Sequence, residues 1–248
     1  MLDYLIPSLS LFQSITSNTL KTIISTSKIK SFRKNTFLNT DHAHSYFAYI
    51  LKGHVKIFKE TVEGKETVLD ILAKQHFFGE DLCFEEHPPC PCIQCIDEVD
   101  LIIWPTSTVK RLLHEEHQLC LNFLKHKIHK QYHLENNIEH LTTKNAEQRI
   151  GNLLLNLVER ADQTDCSNKA AHATNHDFPL CSQKNKNSDK IVFKLPYDKS
   201  LIAAQLNMRP ETFTREIQKL CANCDMELKG STLFIDSLDP LRQTVAIV

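Results

Sequence analysis

Residues 195–220 read LPYDKSLIAAQLNMRPETFTREIQKL. Lys199 to Leu206 has the spacing of a short amphipathic helix, with Leu201, Ile202 and Leu206 inward. The small Ala203 and Ala204 allow a second helix to cross closely. Asn207-Met208-Arg209 supplies a turn, and Asn tolerates the left-handed backbone such a turn needs. Pro210 fits the first position of the next helix, where its missing N–H costs nothing. That helix, Pro210 to Leu220, turns Phe213, Ile217 and Leu220 inward and leaves Glu211, Thr212, Thr214, Arg215 and Lys219 outward. Met226 to Ile235 follows as a hairpin with Lys229-Gly230-Ser231 as its turn. A helix-turn-helix with a wing has this layout, the second helix reaching base edges in the major groove and the wing touching phosphates. Arg bonds guanine bidentately, and Glu accepts from cytosine N4. An ordinary two-helix corner with a solvated charged face would share the pattern.

Upstream, Ala146 to Arg160 reads as a helix with Ile150, Leu153, Leu154, Leu157 and Val158 on one face. Residues 161–190 are polar and irregular, and read as a surface insertion. Ser107 to Thr143 contains no Gly or Pro and reads as one long helix. Along it Leu121, Leu124, Ile128, Gln131, Glu135, Ile138 and Thr142 follow 3/4 spacing, widened by Leu134 and Leu141. Such a seam takes a partner helix, most simply from a second subunit, although it could instead pack on its own domain. From Ser31 to Trp104 the pattern changes to short segments, Tyr46 to Leu51, Val55 to Phe58, Val68 to Leu72 and Leu101 to Trp104. Gly53, Gly64 and Gly79 fall at the breaks, which predicts a small β-roll or barrel. Residues 1–30 read as one or two short helices.

The 248 residues suit two domains, and 42% hydrophobic content lets each bury a core. No stretch has the length of a membrane span, and the N-terminus lacks the basic region and cleavage site of an export signal, so no membrane partner is expected. Nine cysteines then read as reduced thiols, which predicts a cytoplasmic location. A net charge of −1 neither announces nor excludes a nucleic-acid partner, because DNA binding needs a basic face and not a basic protein. Five glycines leave little for a phosphate-cradling loop, and no nucleophile elbow or zinc-protease helix is present, so an enzyme is not expected.

In this order the segments resemble the CRP/FNR family of bacterial transcription regulators. The resemblance is carried by YILKGHVKIFKETVEGKETVLDIL with FFGEDLCFEE in the first half, EQRIGNLLLNL at 147–157, and RPETFTREIQKL. It implies an α+β chain. Residues 1–115 would form a cyclic-nucleotide-binding-like sensor β-roll (a jelly roll), 116–145 a dimerisation helix and hinge, and 146–248 a winged helix-turn-helix. It also implies a homodimer on a pseudo-palindromic double-stranded DNA site, with RNA polymerase as a further partner. Glu211 and Arg215 would read bases and Thr212 would contact phosphate, with Arg209, Thr214, Lys219, Lys229 and Ser231 completing the DNA face. Thr214 stands where the FNR-like branch usually has Ser, which leans the half-site toward TTGAT-like sequences. The segment from Leu195 also looks close to the Dnr-like branch, associated with nitric oxide and haem sensing.

In that family a Gly-Glu pair holds the ribose of a cyclic nucleotide and an Arg-Ser pair its phosphate. Here Gly79 and Glu80 persist, but an ungapped alignment puts Cys90-Pro91 at the Arg-Ser site and Leu134-Glu135 at the purine-contacting pair. Without the Arg the phosphate charge has no partner, so cyclic AMP is not expected as the effector. The FNR-type iron–sulfur site is also missing, since no cysteine precedes Cys83. In its place stand Cys83, His87, Cys90, Cys92 and Cys95, a set dense enough for a soft metal, an iron–sulfur cluster or a redox switch. Buried cysteines packing as small hydrophobes would give the same set. Cys221 and Cys224 form a second thiol pair, and Cys166 and Cys181 lie in the insertion. Of thirteen histidines, His42, His44, His76, His114, His117, His126, His129, His133 and His140 flank the roll or lie on the long helix. The Dnr-like resemblance implies that any of them could be an axial haem ligand, and the alternative for most is a solvated surface position. The competing reading is a cyclic-nucleotide-binding module that acts through protein contacts.

Overall fold

The computed structural model describes residues 2–38, 46–60, 64, 66–84, 92–164 and 191–246. It divides into two compact units, one running to Leu134 and one from Glu135 onward.

In the first unit, helices α1 (Leu2–Ser8) and α2 (Ser17–Thr26), with a single 3-10 turn at Ser10–Phe12 between them, precede a set of antiparallel strands. These are β1 (Lys28–Phe32), β2 (Tyr46–Lys52), β3 (Val55–Glu60), β4 (Glu66–Leu72), β5 (Phe77–Phe78), β6 (Cys92–Cys95) and β7 (Val99–Pro105). Among the described residues they form two sheets, in the orders β1-β7-β2-β5 and β4-β3-β6. The central strands of the first sheet, β2 and β7, are buried on both faces. Ala48, Ile50, Leu101 and Ile103 pack with Val55, Ile57, Leu72 and Ile93 of the second sheet. Their neighbours Phe47, Tyr49, Ile102 and Trp104 point the other way, into a core shared with α1, α2 and the helices that follow β7. Two buried faces explain why YFAYIL and LIIW read as continuous apolar runs, whereas β4, exposed along one side, alternates. Trp104 Nε1 donates to the Ile23 carbonyl at 2.9 Å, so the largest buried ring leaves no orphan donor.

The segment predicted as one helix from Ser107 is two, α3 (Thr106–Glu115) and α4 (His117–Thr143). Glu116 between them is extended, at φ −121° and ψ 98°. Its carboxylate accepts hydrogen bonds from the Thr16 hydroxyl at 2.7 Å and the Thr16 N–H at 3.2 Å. A tertiary anchor therefore breaks the helix where no Gly or Pro does.

The second unit opens with α5 (Ala146–Thr164). The Gln148 N–H donates to Asn145 Oδ1 at 2.9 Å, and the Asn145 N–H to Gln148 Oε1 at 3.1 Å, a reciprocal capping box that fixes the start of α5. Strand β8 (Ile191–Lys194) joins β9 (Met226–Lys229) and β10 (Thr232–Ile235) in a sheet ordered β8-β10-β9. Between them run α6 (Lys199–Gln205) and α7 (Pro210–Asn223), and α8 (Asp239–Ala246) closes the unit. The sequence did not announce β1, β5, β6, β8 and α8 as elements. The insertion beyond Thr164, with Cys166 and Cys181, lies outside the described residues, as do His42, His44, His87, Cys90 and the side chains of His133 and His140.

Candidate functional site

Two places concentrate polar chemistry, one in each unit. In the second unit, α6 and α7 meet at Asn207, whose φ of 51° is the left-handed turn expected from the sequence. Pro210 takes the first turn of α7. Phe213, Ile217 and Leu220 are buried, so one stripe of α7 is fixed against the core and the opposite face must point out. Arg209, Glu211, Thr214, Arg215 and Lys219 are all exposed, and Thr212 is half-buried. Arg215 Nε sits 2.9 Å from Glu216 Oε1, and Lys219 Nζ 3.2 Å from Glu216 Oε2. These cations hold the Glu216 carboxyl below its ordinary range. Glu216 thereby orients both basic side chains along the helix surface. In the β9–β10 hairpin Lys229 is exposed, paired with Glu227 at 2.8 Å and lying over the Phe234 ring at 5.6 Å. Gly230 at the hairpin turn has φ +63°, and Ser231 beside it is half-buried. The DNA-face candidates of α7 thus converge on one outward face, with Lys229 and Ser231 on the hairpin.

Arg149 of α5 was not singled out in the sequence. Its guanidinium donates to the carbonyls of Leu206, at 3.0 Å, and Lys144, at 3.1 Å, tying the end of α6 to the start of α5.

The first unit holds a buried carboxylate. Gly79, at φ +82°, brings the chain so close to β2 that a Cβ there would lie 2.6 Å from the Tyr46 carbonyl oxygen. Glu80 follows and is 1% exposed. Its Oε1 accepts from Lys130 Nζ at 2.7 Å and Lys127 Nζ at 3.2 Å, and Lys127 also pairs with Asp81. Burial by itself would raise the Glu80 carboxyl; the two ammonium groups and their hydrogen bonds outweigh it and bring it down to about 2. His126, one residue before Lys127, meets the Phe77 ring edge-on at 5.7 Å. Its Nε2 is shielded from solvent and has no hydrogen-bond partner. Burial lowers this imidazole to about 4, against the pull of Glu80, so it is neutral near pH 7. The sequence reading passed over Lys127 and Lys130. Their signal was the helical spacing of Phe123, His126, Lys127 and Lys130, a roll-facing stripe distinct from the Leu124–Ile128 seam.

The seam itself is bare. Leu119 and Phe123 face the roll core, whereas Leu121, Leu124, Ile128, Leu134 and Ile138 are exposed. Leu134 and Glu135, expected at an effector pocket, both lie on exposed positions of α4.

Cys83, Cys92 and Cys95 do not gather, and Cys90 lies outside the described residues. Cys92 and Cys95 are three apart on one strand and so project from opposite faces, Cys95 into the inter-sheet core. Cys83 belongs to the other core, beside the helices. Burial, with Glu80 and Asp81 nearby, pushes Cys83 up to about 12, and burial with Asp97 pushes Cys95 up to about 11. Buried protonated thiols of this kind are inert. Cys224 is fully buried at the end of α7, its Sγ 3.6 Å from Thr244 Oγ1, and burial also raises Cys221. Among the described residues no three His, Cys, Asp or Glu side chains come together to hold a metal ion.

Residues 29–116 match the cyclic nucleotide-binding domain family. No curated protein sequence matches the chain. Among solved structures, FixK2 from Bradyrhizobium japonicum superposes with a TM-score of 0.67 at 17% identity, over 90% of this chain and 98% of its own. A CRP/FNR-family transcriptional regulator from Thermus thermophilus gives 0.61 at 19% identity, over 88% of this chain and 98% of its own. The chain has the CRP/FNR fold. CLP of Xanthomonas campestris, described as a c-di-GMP responsive global regulator, shares the CRP/FNR fold with it as well, at a TM-score of 0.64 and 14% identity over 90% of this chain and 100% of its own. Within that fold the roll contains Glu80, α4 follows it, and α7 lies in the C-terminal unit.

Proposed function

We propose that the chain is a homodimeric, sequence-specific DNA-binding transcription regulator, with the roll as sensor and the second unit as a winged helix-turn-helix. The observation that carries this is the division of α7 into a buried Phe213-Ile217-Leu220 stripe and an outward face with Arg209, Glu211, Thr214, Arg215 and Lys219. A helix seated by its apolar stripe, beginning behind a left-handed turn and flanked by a basic hairpin tip, is built to enter a major groove. Arg215 and Glu211 are the base readers, Thr212 contacts phosphate, and Lys229 with Ser231 touches the backbone beyond. The bare seam on α4 supports the dimer, because a second copy is the simplest partner for a helix face repeating at 3/4 spacing. Effector binding at the roll would act through the paired α4 helices and the capped junction at Asn145.

Cyclic AMP is not the effector in this reading, since Glu80 already has two lysine partners and no Arg stands at the phosphate position. An iron–sulfur cluster does not fit the described cysteines, which diverge into separate environments. Among the described residues His126 is a neutral imidazole whose shielded, unpartnered Nε2 would hold the iron of a haem; bound there, haem would supply a gas-binding centre. A cytoplasmic location is supported by the nine cysteines read as reduced thiols, and contact with RNA polymerase by the family resemblance alone.

The test is selection of bound duplexes from a random DNA pool by the full chain. A two-fold symmetric consensus with half-sites about one helical turn apart, TTGAT-like in each half, is expected. Recovery of unenriched sequence, released uniformly by salt, would overturn the reading.

A further inference from the structure

Glu80 poses a problem that its surroundings answer. A carboxylate at 1% exposure is held charged only by close cations, and both cations here come from one helix of the same chain. Lys127 and Lys130 are on α4, on the side that carries Phe123 and His126 toward the roll. The Lys130 side chain is 26% exposed and Lys127 37%, so their stems cover the carboxylate while their heads bond to it. Asp81 takes the second bond of Lys127, and with His126 neutral the cluster sums to zero charge.

We propose that Lys130 and Lys127 are built-in ligands of Glu80, specificity-determining residues that close the roll's carboxylate to neutral hydroxyl-bearing ligands and anchor α4 to the roll. The proposal rests on the roll being a ligand-binding domain, and says what its carboxylate accepts: an alkylammonium supplied by the chain itself. A sugar hydroxyl could reach Oε1 only by displacing an ammonium, which would leave a buried carboxylate without its counter-charge. Oε2 has no hydrogen-bond partner but is shielded from solvent, so neither a hydroxyl nor a cation reaches it while the lysines cover the carboxylate. The anchor also gives α4 one defined rotation, with the roll-facing residues locked and the Leu124–Ile128 seam turned outward.

The test uses the full chain with Lys127→Ala/Lys130→Ala, with single Lys130→Ala in reserve should the double variant fail to fold. Thermal midpoints are read with and without n-butylammonium chloride against equal sodium chloride. Amide exchange along α4 is followed in parallel. The double variant should melt on the order of 5–10 °C lower, as expected for a large domain that keeps an uncompensated buried charge. Amides near 126–134 should exchange at least about tenfold faster. Butylammonium should restore much of the midpoint in the variant and leave the wild type unmoved, and Lys130→Arg should keep most of it. An unchanged midpoint in the variants, no difference between butylammonium and sodium, or saturable cyclic AMP binding by the wild type would each overturn the proposal. DNA binding is not among the readouts, so a failure of the regulator reading leaves this result interpretable.

Discussion

Two lysines placed on the bare seam of α4, Leu124→Lys with Ile128→Lys, should abolish dimerisation and leave the subunit folded. Leu124 is 56% exposed and Ile128 42%, so each has roughly half its side chain still to bury. Full burial of a Leu or Ile stabilises by about 1.5–3 kcal/mol, which puts the remaining half near 1 kcal/mol each. Two residues on two subunits give about 4 kcal/mol, or about a thousandfold in the dimer dissociation constant. Desolvation of the four introduced ammonium groups adds to that loss. Because neither residue supports the roll core, which is served by Leu119 and Phe123, the circular dichroism and urea midpoint of the monomer should match those of the wild type at equal dilution. Sedimentation equilibrium over a wide concentration range measures the constant directly. A variant that stays dimeric within about threefold of the wild type would refute the assignment of this seam.

Acid should destabilise the chain in two steps. His126 is lowered in the fold from 6.5 to about 4, so between those values the unfolded chain takes up a proton that the folded one refuses, and stability falls with pH by roughly 3 kcal/mol. Glu80, held at about 2 against 4.5, contributes stability present above 4.5 and lost progressively toward 2. Urea midpoints of wild type and His126→Phe at pH 7.5 and 4.5 check the first step, which the substitution should largely remove. Gly79→Ala should cost at least about 2 kcal/mol, whereas Gly230→Ala, also at positive φ but with nothing within 4 Å of the new Cβ, should cost only about 1 kcal/mol. Thermal or urea unfolding of the two variants side by side checks that contrast. Iodoacetamide at pH 8, followed by peptide mass spectrometry, should label exposed Cys120 rapidly and leave Cys83 and Cys95 unmodified until the chain is unfolded.

What the sequence showed and hid follows from the range of the interactions. The α6–α7 pair was legible because its signals are local: Asn207 for the turn, Pro210 for the helix start, and apolar residues at 213, 217 and 220 for the buried stripe. The strands of the doubly covered sheet announced themselves as unbroken apolar runs. β1 did not, because its KIKSF is an edge strand with four exposed residues, and two-residue β5 is too short to show a period. The break between α3 and α4 was hidden because Glu116 is pinned by Thr16, a hundred positions away. Of the cysteine set, strand alternation sends Cys92 and Cys95 to opposite faces, which spacing alone does not show, while His87 and Cys90 lie outside the described residues. Glu80 was noticed for its neighbour Gly79, while its true partners lie 47 and 50 positions further on.

The central claim is that the face of α7 reads DNA sequence. The most direct measurement is an equilibrium titration, at one fixed salt concentration, of the full chain and its Glu211→Ala/Arg215→Ala variant on a symmetric TTGAT-half-site duplex and a scrambled one. The wild type should prefer the symmetric duplex by at least about a thousandfold. The variant should lose most of that preference yet keep its weak affinity for the scrambled duplex, since the phosphate contacts remain. Equal affinity of the wild type for both duplexes, or a preference that survives in the variant, would contradict the claim.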